Sequence, residues 1–447
     1  MKPRNTSRST ALKLSWLVAL ILALLPFHAF LTVWVSSWLG HYTLLRLWKE
    51  ILLAPVFCAA LYWLWTDKLL RQKLFNSRLV RLIGIYAAWL LVVGIVALIR
   101  HGVNLKALAY GELVDLRYLF FFLMVLLLAA RSTLLSAKWQ KLVLVPSVIV
   151  VVFGLLQYYV LPYDFLRHFG YGPDTISPYE TINHNLNYIR IESTLRGANP
   201  LGAYLVLVVS AGSALAVATK NKIKYCVFLG AALVALALTF SRSAWIGAAL
   251  SLATILWLSL KSEKLRQRLL IGSATALVII CGLALALHGS TTFQDDILHT
   301  DNHSTATTSS NQGHASAFKN GVHDIVHQPL GGGVGSAGPQ SAYNNHPGRL
   351  AENYFLQIGQ EAGIIGMTLF IAINIMVGRL LWQRRSEPLA LVLFASLIGL
   401  TFVNLLSHAW SDDTLAYIWW GLTGIALAPA ILEHKGNKNG KKHQAPA

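Results

Sequence analysis

The sequence predicts an all-α polytopic membrane protein, and three observations carry that expectation. Of the 447 residues, 55% are hydrophobic and only 13% are charged, whereas ordinary soluble domains carry about 25% charged residues. Mean hydropathy is +0.54. Apolar runs of roughly 20 residues, the length that crosses a bilayer, recur from end to end.

Twelve spans are expected, at about 14–35, 44–65, 80–99, 113–131, 140–161, 198–219, 224–240, 243–260, 268–287, 353–378, 388–407 and 414–432. The connections alternate in charge. One set carries Lys68, Arg71, Lys73, Arg78 and Arg81, then Arg131, Lys138 and Lys141, then Lys220, Lys222 and Lys224. Further along come Lys261, Lys264, Arg266 and Arg268, then Arg379, Arg384 and Arg385. With both termini this set is cytoplasmic by the positive-inside rule. The net charge of +18 is therefore a topology signal and does not call for nucleic acid. Lys2, Arg4, Arg8 and Lys13 precede the first apolar run, and no small-residue cleavage site follows, so the start of the chain reads as an anchor helix.

This divides the chain into a cytoplasmic tail (1–13), nine helices with a long outer loop at 162–199 (14–287), a second outer loop (288–352), three helices (353–432) and a basic cytoplasmic tail (433–447). Loops of such length in a compact domain are functional or disordered. Within the second, 313–327 has helical spacing, and the glycine run 331–338 cannot hold a stiff helix, so it is free to move or to approach a ligand closely. No inverted pair of broken helices of the transporter kind is apparent. Cys58, Cys226 and Cys281 fall in apolar segments and read as small core residues, with no disulfide framework or metal site.

The candidate chemistry lies on the outer side. Residues 341–366 run SAYNNHPGRLAENYFLQIGQEAGIIG and place His346, Arg349, Glu352 and Asn353 at a helix mouth. Charge near hydrocarbon is costly unless paired or wet. Glu352 suits a helix-start carboxylate that interacts with the dipole, or a general base. His346 could serve as base instead, since imidazole titrates near neutral pH. Arg242, in a very short outer turn reading FSRSAWIG, breaks the positive-inside pattern. It is either a snorkelling arginine or a fork for phosphate. Arg196 begins a re-entry into the membrane at RGANPLG and is either paired with Glu192 or a second anion-binding arginine.

Other groups read as structural. His323 and His327 have helical spacing, but Asp324 stands where a metalloprotease needs Glu, and no third ligand is evident. Asp115 and Arg117 read as a pair holding a helix start. Asp412 and Asp413 read as helix caps, ahead of a divalent-ion site.

The order of these motifs on one face resembles the bacterial O-antigen ligase and polymerase superfamily. The resemblance spans roughly residues 10–432 and rests on the Arg196-Gly197 re-entry, the Ser241-Arg242 turn and the run from Glu352-Asn353 to Gly363 and Gly366. It implies a fold similar to the C-type glycosyltransferases and a bacterial inner-membrane location. It also implies metal-independent, inverting transfer of a glycan from an undecaprenyl diphosphate carrier to an acceptor hydroxyl on the periplasmic face, with no cofactor. The donor would be the lipid-linked glycan, and the acceptor lipid A core or another glycan. On this likeness Arg196 and Arg242 match the diphosphate-binding arginines. Glu352 stands where the ligases have histidine, which also fits members that polymerise or ligate other glycans. Asn353 and Arg349 are further candidate substrate contacts. A transporter or flippase of a lipid-linked or anionic solute is the rival reading, and a scaffold in cell-wall assembly a third. A ligase would cluster ionisable groups at the outer membrane face, a transporter at midplane.

The charge alternation makes orientation testable. Cysteines introduced at Ser310 and Ser341 should react with impermeant thiol reagents on intact cells. Labelling only after lysis would reverse the orientation.

Overall fold

The computed structural model describes residues 5–182, 185–220, 222–260, 262–268, 271–272, 286, 290, 310–345 and 348–432. Apolar runs become helices because a backbone in lipid must satisfy its own N–H and C=O groups. The N-terminal half comprises α1 (Asn5–Leu24), α2 (His28–Leu39), α3 (Tyr42–Leu45), α4 (Trp48–Thr66), α5 (Lys68–Asn76), α6 (Arg78–Ile99), α7 (Leu105–Ala129) and α8 (Leu134–Tyr159). After a two-stranded hairpin, β1 (Glu180–Ile182) and β2 (Asn185–Arg190), come α9 (Ala198–Ala218), α10 (Lys222–Leu238) and α11 (Arg242–Ser259). Then follow α12 (Ser310–His327), α13 (Tyr354–Gln383), α14 (Pro388–Asn404) and α15 (Asp413–Leu432).

Seven segments among the described residues are long and apolar enough to cross a membrane. They are Ser9–Leu39, which joins α1 to α2 through a turn at Pro26, and α6, α8, α9, α11, α13 and α15. The other expected spans correspond to α4, α7, α10 and α14, and the one at 268–287 lies mostly outside the described residues. The chain is a multi-pass helical membrane protein.

α9 and α15 form the middle, each with 83% of its most apolar window buried, against 33% for α6. Small residues allow this. Gly202 faces Ala244 so closely that a Cβ there would sit 2.8 Å from the alanine Cβ, and the backbones of α11 and α14 touch at Gly247 and Gly399. Such close approach is how helices associate where lipid offers no hydrophobic drive. Cys58 and Cys226 are exposed on outward helix faces, which corrects their reading as core residues. Cys281 lies outside the described residues.

The expected helix in the second loop is present as α12. The glycine run after it docks against the protein. α13 breaks at Gly363 (φ 68°), and Ile364 N–H donates to the Pro329 carbonyl at 2.9 Å. Gly332 N–H reaches the Gln360 carbonyl (2.7 Å) and Gly333 N–H the Glu361 carbonyl (2.9 Å). The Glu361 carboxylate accepts from Gly335 N–H (2.8 Å) and Gln340 (2.9 Å). Gly331, Gly333 and Gly335 all have φ near 90–100°. At Gly335 a Cβ would also lie 2.5 Å from the Ala107 carbonyl oxygen. Irregular backbone at this depth is tolerated because it is buried in protein with its polar groups met.

One ionic cluster ties the bundle together. Asp413, at the start of α15, accepts from Lys49 (2.7 Å), from Arg117 and from His28 (3.4 Å). Lys49 also meets Glu50 at 3.2 Å. This overturns two expectations. Arg117 pairs with Asp413 across the bundle, while Asp115 accepts from the Tyr354 hydroxyl at 3.2 Å. Asp413 is an ionic hub, and only Asp412 acts as a cap, accepting from Leu415 N–H at 3.2 Å. Asp413→Asn keeps the shape but leaves buried Arg117 without its carboxylate and Lys49 with Glu50 alone. It should destabilise the protein by about 3–5 kcal/mol, read as a lowered midpoint of thermal unfolding in detergent. An unchanged midpoint would deny the cluster its structural role.

Candidate active site

α9, α11, α13 and α15 all begin at one end of the bundle, where α14 ends. The segment 405–412 is stitched into that end. The Asn353 side chain caps α13, accepting from Leu356 N–H (3.1 Å), and donates to the Leu405 carbonyl (2.9 Å). Tyr354 N–H donates to the Ser407 carbonyl at 3.1 Å. Arg117, held by Asp413, donates to the Ser411 carbonyl at 2.8 Å. These bonds fix both sides of a cavity of about 240 Å³.

Arg196, Glu352, His408, Asp412, Glu180 and Asn199 line it. Two of the residues singled out in the sequence, Arg196 and Glu352, are thus brought together from positions more than 150 residues apart. Arg196 is exposed and does not pair with Glu192. Glu192 is fully buried, and burial, then the charge of Glu180, pushes its carboxyl well above the usual range. Glu352 holds a left-handed backbone, φ 51°, uncommon for any residue with a side chain.

The hairpin supplies what sequence reasoning missed. Glu180 and Arg190 are directly paired in its register. Arg190 approaches Glu180 at 3.5 Å and donates to Asn199 (2.7 Å) and to the Thr239 carbonyl (2.8 Å). Glu180 also accepts from Ala198 N–H at 3.2 Å, at the start of α9. Gly197 leaves room for that carboxylate, since a Cβ there would collide with it. Arg242 is not among the residues lining the cavity but lies within electrostatic reach of Arg190. A second missed residue is His408. Burial, then the nearby Arg196, holds its imidazole below the ordinary value, with Glu352 and Asp412 acting the other way, so it is neutral at pH 7. The signal was its place in NLLSHAWSDD, a polar turn on the same side as Glu352.

The other expected contacts are elsewhere. Both ends of the buried Asn353 amide are engaged in the cap and latch. Arg349 donates to Gln328 (3.1 Å), lies 3.8 Å from Asp324 and lines a different cavity. His346 lies outside the described residues. His323 and His327 stack on each other with ring centres 3.9 Å apart. Among the described residues no three His, Cys, Asp or Glu side chains are grouped to hold a metal ion.

The cavity brings one arginine, Arg196, together with the carboxylates Glu180, Glu352 and Asp412 and the imidazole of His408. At about 240 Å³ it is smaller than the roughly 300–1,000 Å³ of ordinary small-molecule sites. It would take a reacting headgroup and leave the remainder of a larger ligand outside.

No curated protein matches the chain. Residues 226–371, roughly a third of it, match the family model described as O-antigen ligase. That segment carries Arg242, the docked glycine run, Glu352 and the break at Gly363. The match supports placing this multi-pass membrane protein in the O-antigen ligase and polymerase superfamily.

Proposed function

We propose that the chain transfers a glycan from a lipid diphosphate, of the undecaprenyl type, to an acceptor hydroxyl at the periplasmic end of the bundle. The observation that carries this reading is the shared cavity of Arg196, Glu352 and His408 at the helix mouths. The ionisable rim lies at the end of the spans, as a membrane-face transferase requires. Loss of the diphosphate develops negative charge on the leaving oxygen. Arg196, with Arg242 and Arg190 behind the cavity, would stabilise that charge from fixed positions in a low-dielectric mouth. Glu352 would take the acceptor proton as the hydroxyl oxygen attacks the anomeric carbon. The bond to the diphosphate breaks in the same displacement, which inverts the anomeric configuration. His408, neutral and adjacent, would orient the acceptor or pass the proton on. The acceptor would be lipid A core or another glycan; a polymerase would use a second copy of the donor's glycan. Asn353 would act on Glu352 by holding its backbone, and Arg349 is not assigned to this cavity.

The transport reading has one observation in its favour. Asp115 and Glu361 are fully buried within helices, beside the break at Gly363. Against it, the loop that fills that break has its amides bonded within the protein.

Purified protein incubated with a lipid diphosphate-linked glycan and candidate acceptors tests the proposal. Arg242→Lys keeps charge but loses the planar fork, and Arg196→Ala loses both. Each should cost about two orders of magnitude in transfer, as does removal of one preorganised donor to a developing charge. Full activity with both arginines as alanine would discard the clamp. Glu352→Gln should abolish turnover and leave donor binding nearly intact. Activity that survives in Glu352→Gln but disappears in His408→Gln would move the base to the histidine.

A further inference from the structure

A second cavity, of about 790 Å³, runs along the outer part of α6 and under the glycine run. It shares no lining residue with the first. Its wall is Trp89, Val92, Val93 and Val96, on a membrane-spanning helix, with Val92 52% and Val96 42% exposed. The indole N–H of Trp89 is engaged by the Ala362 carbonyl at 2.8 Å, so the ring is fixed as an apolar wall beside the break in α13. Where α6 ends, the wall gives way to Arg100 and Arg349. Arg100 is exposed and makes no ion pair among the described residues. Arg349 shares its charge with Asp324 only at 3.8 Å and its hydrogen bonding with the neutral Gln328. Ser336 lines the same space, and its hydroxyl is shielded from solvent without a hydrogen-bond partner among the described residues. The nearby amides of Gly331, Gly332 and Gly333 already donate within the protein, which leaves recognition to these side chains.

We propose that this cavity binds a phosphorylated membrane lipid, with its phosphate on Arg100 and Arg349, its adjoining polar group toward Ser336, and one chain along Trp89, Val92 and Val96. The geometry selects this class. A hydrocarbon wall continuous with the lipid-facing surface wants an alkyl chain. Two guanidinium groups at its polar end want phosphate oxygens, which they bind as forks. A zwitterionic lipid carries a phosphate but also a cation, which would leave the charge of the two guanidinium groups uncompensated, and a free phosphate would leave the wall empty.

Full-length protein in nanodiscs of phosphatidylcholine, with phosphatidic acid titrated in, provides the test. Native mass spectrometry should show one phosphatidic acid retained under conditions that strip phosphatidylcholine. Arg100→Gln with Arg349→Gln should weaken that retention about tenfold or more, equivalent to about 1.4 kcal/mol. Val96→Trp, on an exposed helix face, should fill the groove and displace the lipid with both arginines intact; it carries the test if the double variant fails to fold. Arg196→Ala with Arg242→Ala should retain the lipid, which separates this site from the proposed diphosphate clamp. Unchanged retention in both the double glutamine variant and Val96→Trp would overturn the proposal. So would equal competition by glycerol phosphate, or loss of the lipid only when Arg196 and Arg242 are replaced.

Discussion

The arrangement depends on a carboxylate placed where hydrocarbon would otherwise be. Asp413 gathers Lys49, Arg117 and His28 from three other helices. Taking such charges out of water costs several kcal/mol per ion unless geometry and hydrogen bonding compensate. The compensation is visible: the Tyr417 hydroxyl donates to Glu50 (3.2 Å), Trp48 donates to His28 (2.8 Å) and Lys49 donates to the Arg46 carbonyl (3.0 Å). Arg117 then spends a second N–H on Ser411. The turn that presents His408 and Asp412 is held by that bond, so the shape of the candidate active site is set by a charge cluster that is not part of it.

Close backbone approach is the second constraint. Gly202 lets α9 meet α11, and α9 begins just after Arg196–Gly197 while α11 begins at Arg242. The spacing of the arginines therefore follows from a glycine contact one turn into the helix. Gly197 makes room for Glu180, which joins the start of α9 to Arg190. Together these contacts bring two sequence motifs, RGANPLG and SRSAWIG, to one end of the bundle.

Much of this was legible in the sequence because it follows from composition and local pattern. Apolar length gave the helices, and charge against the positive-inside trend marked Arg196 and Arg242. The helical spacing before the glycine run predicted α12. What stayed hidden depends on partners far away in the chain. Asp115 and Arg117 look paired at two residues' separation, yet on a helix such positions point in different directions, and each found its partner nearly 240 or more residues away. Nothing local distinguishes Asp412, a cap, from Asp413, a hub. His408 was passed over because a histidine in a short polar turn is unremarkable until the turn is folded over Glu352. The glycine run announced its flexibility, but the surface it docks on, the break at Gly363, lies some 30 residues further on.

The left-handed backbone at Glu352 carries an evolutionary consequence. For an L-residue with a Cβ this conformation costs roughly 1–2 kcal/mol, and only glycine occupies it freely. A chain selected for stability alone would place glycine there. If Glu352 is the base proposed above, folding free energy is given up at this position to aim its carboxylate, in the manner of residues kept in sparsely populated conformations at functional sites. On that reading, the same protein made sturdier by glycine at this position would have lost its proposed base.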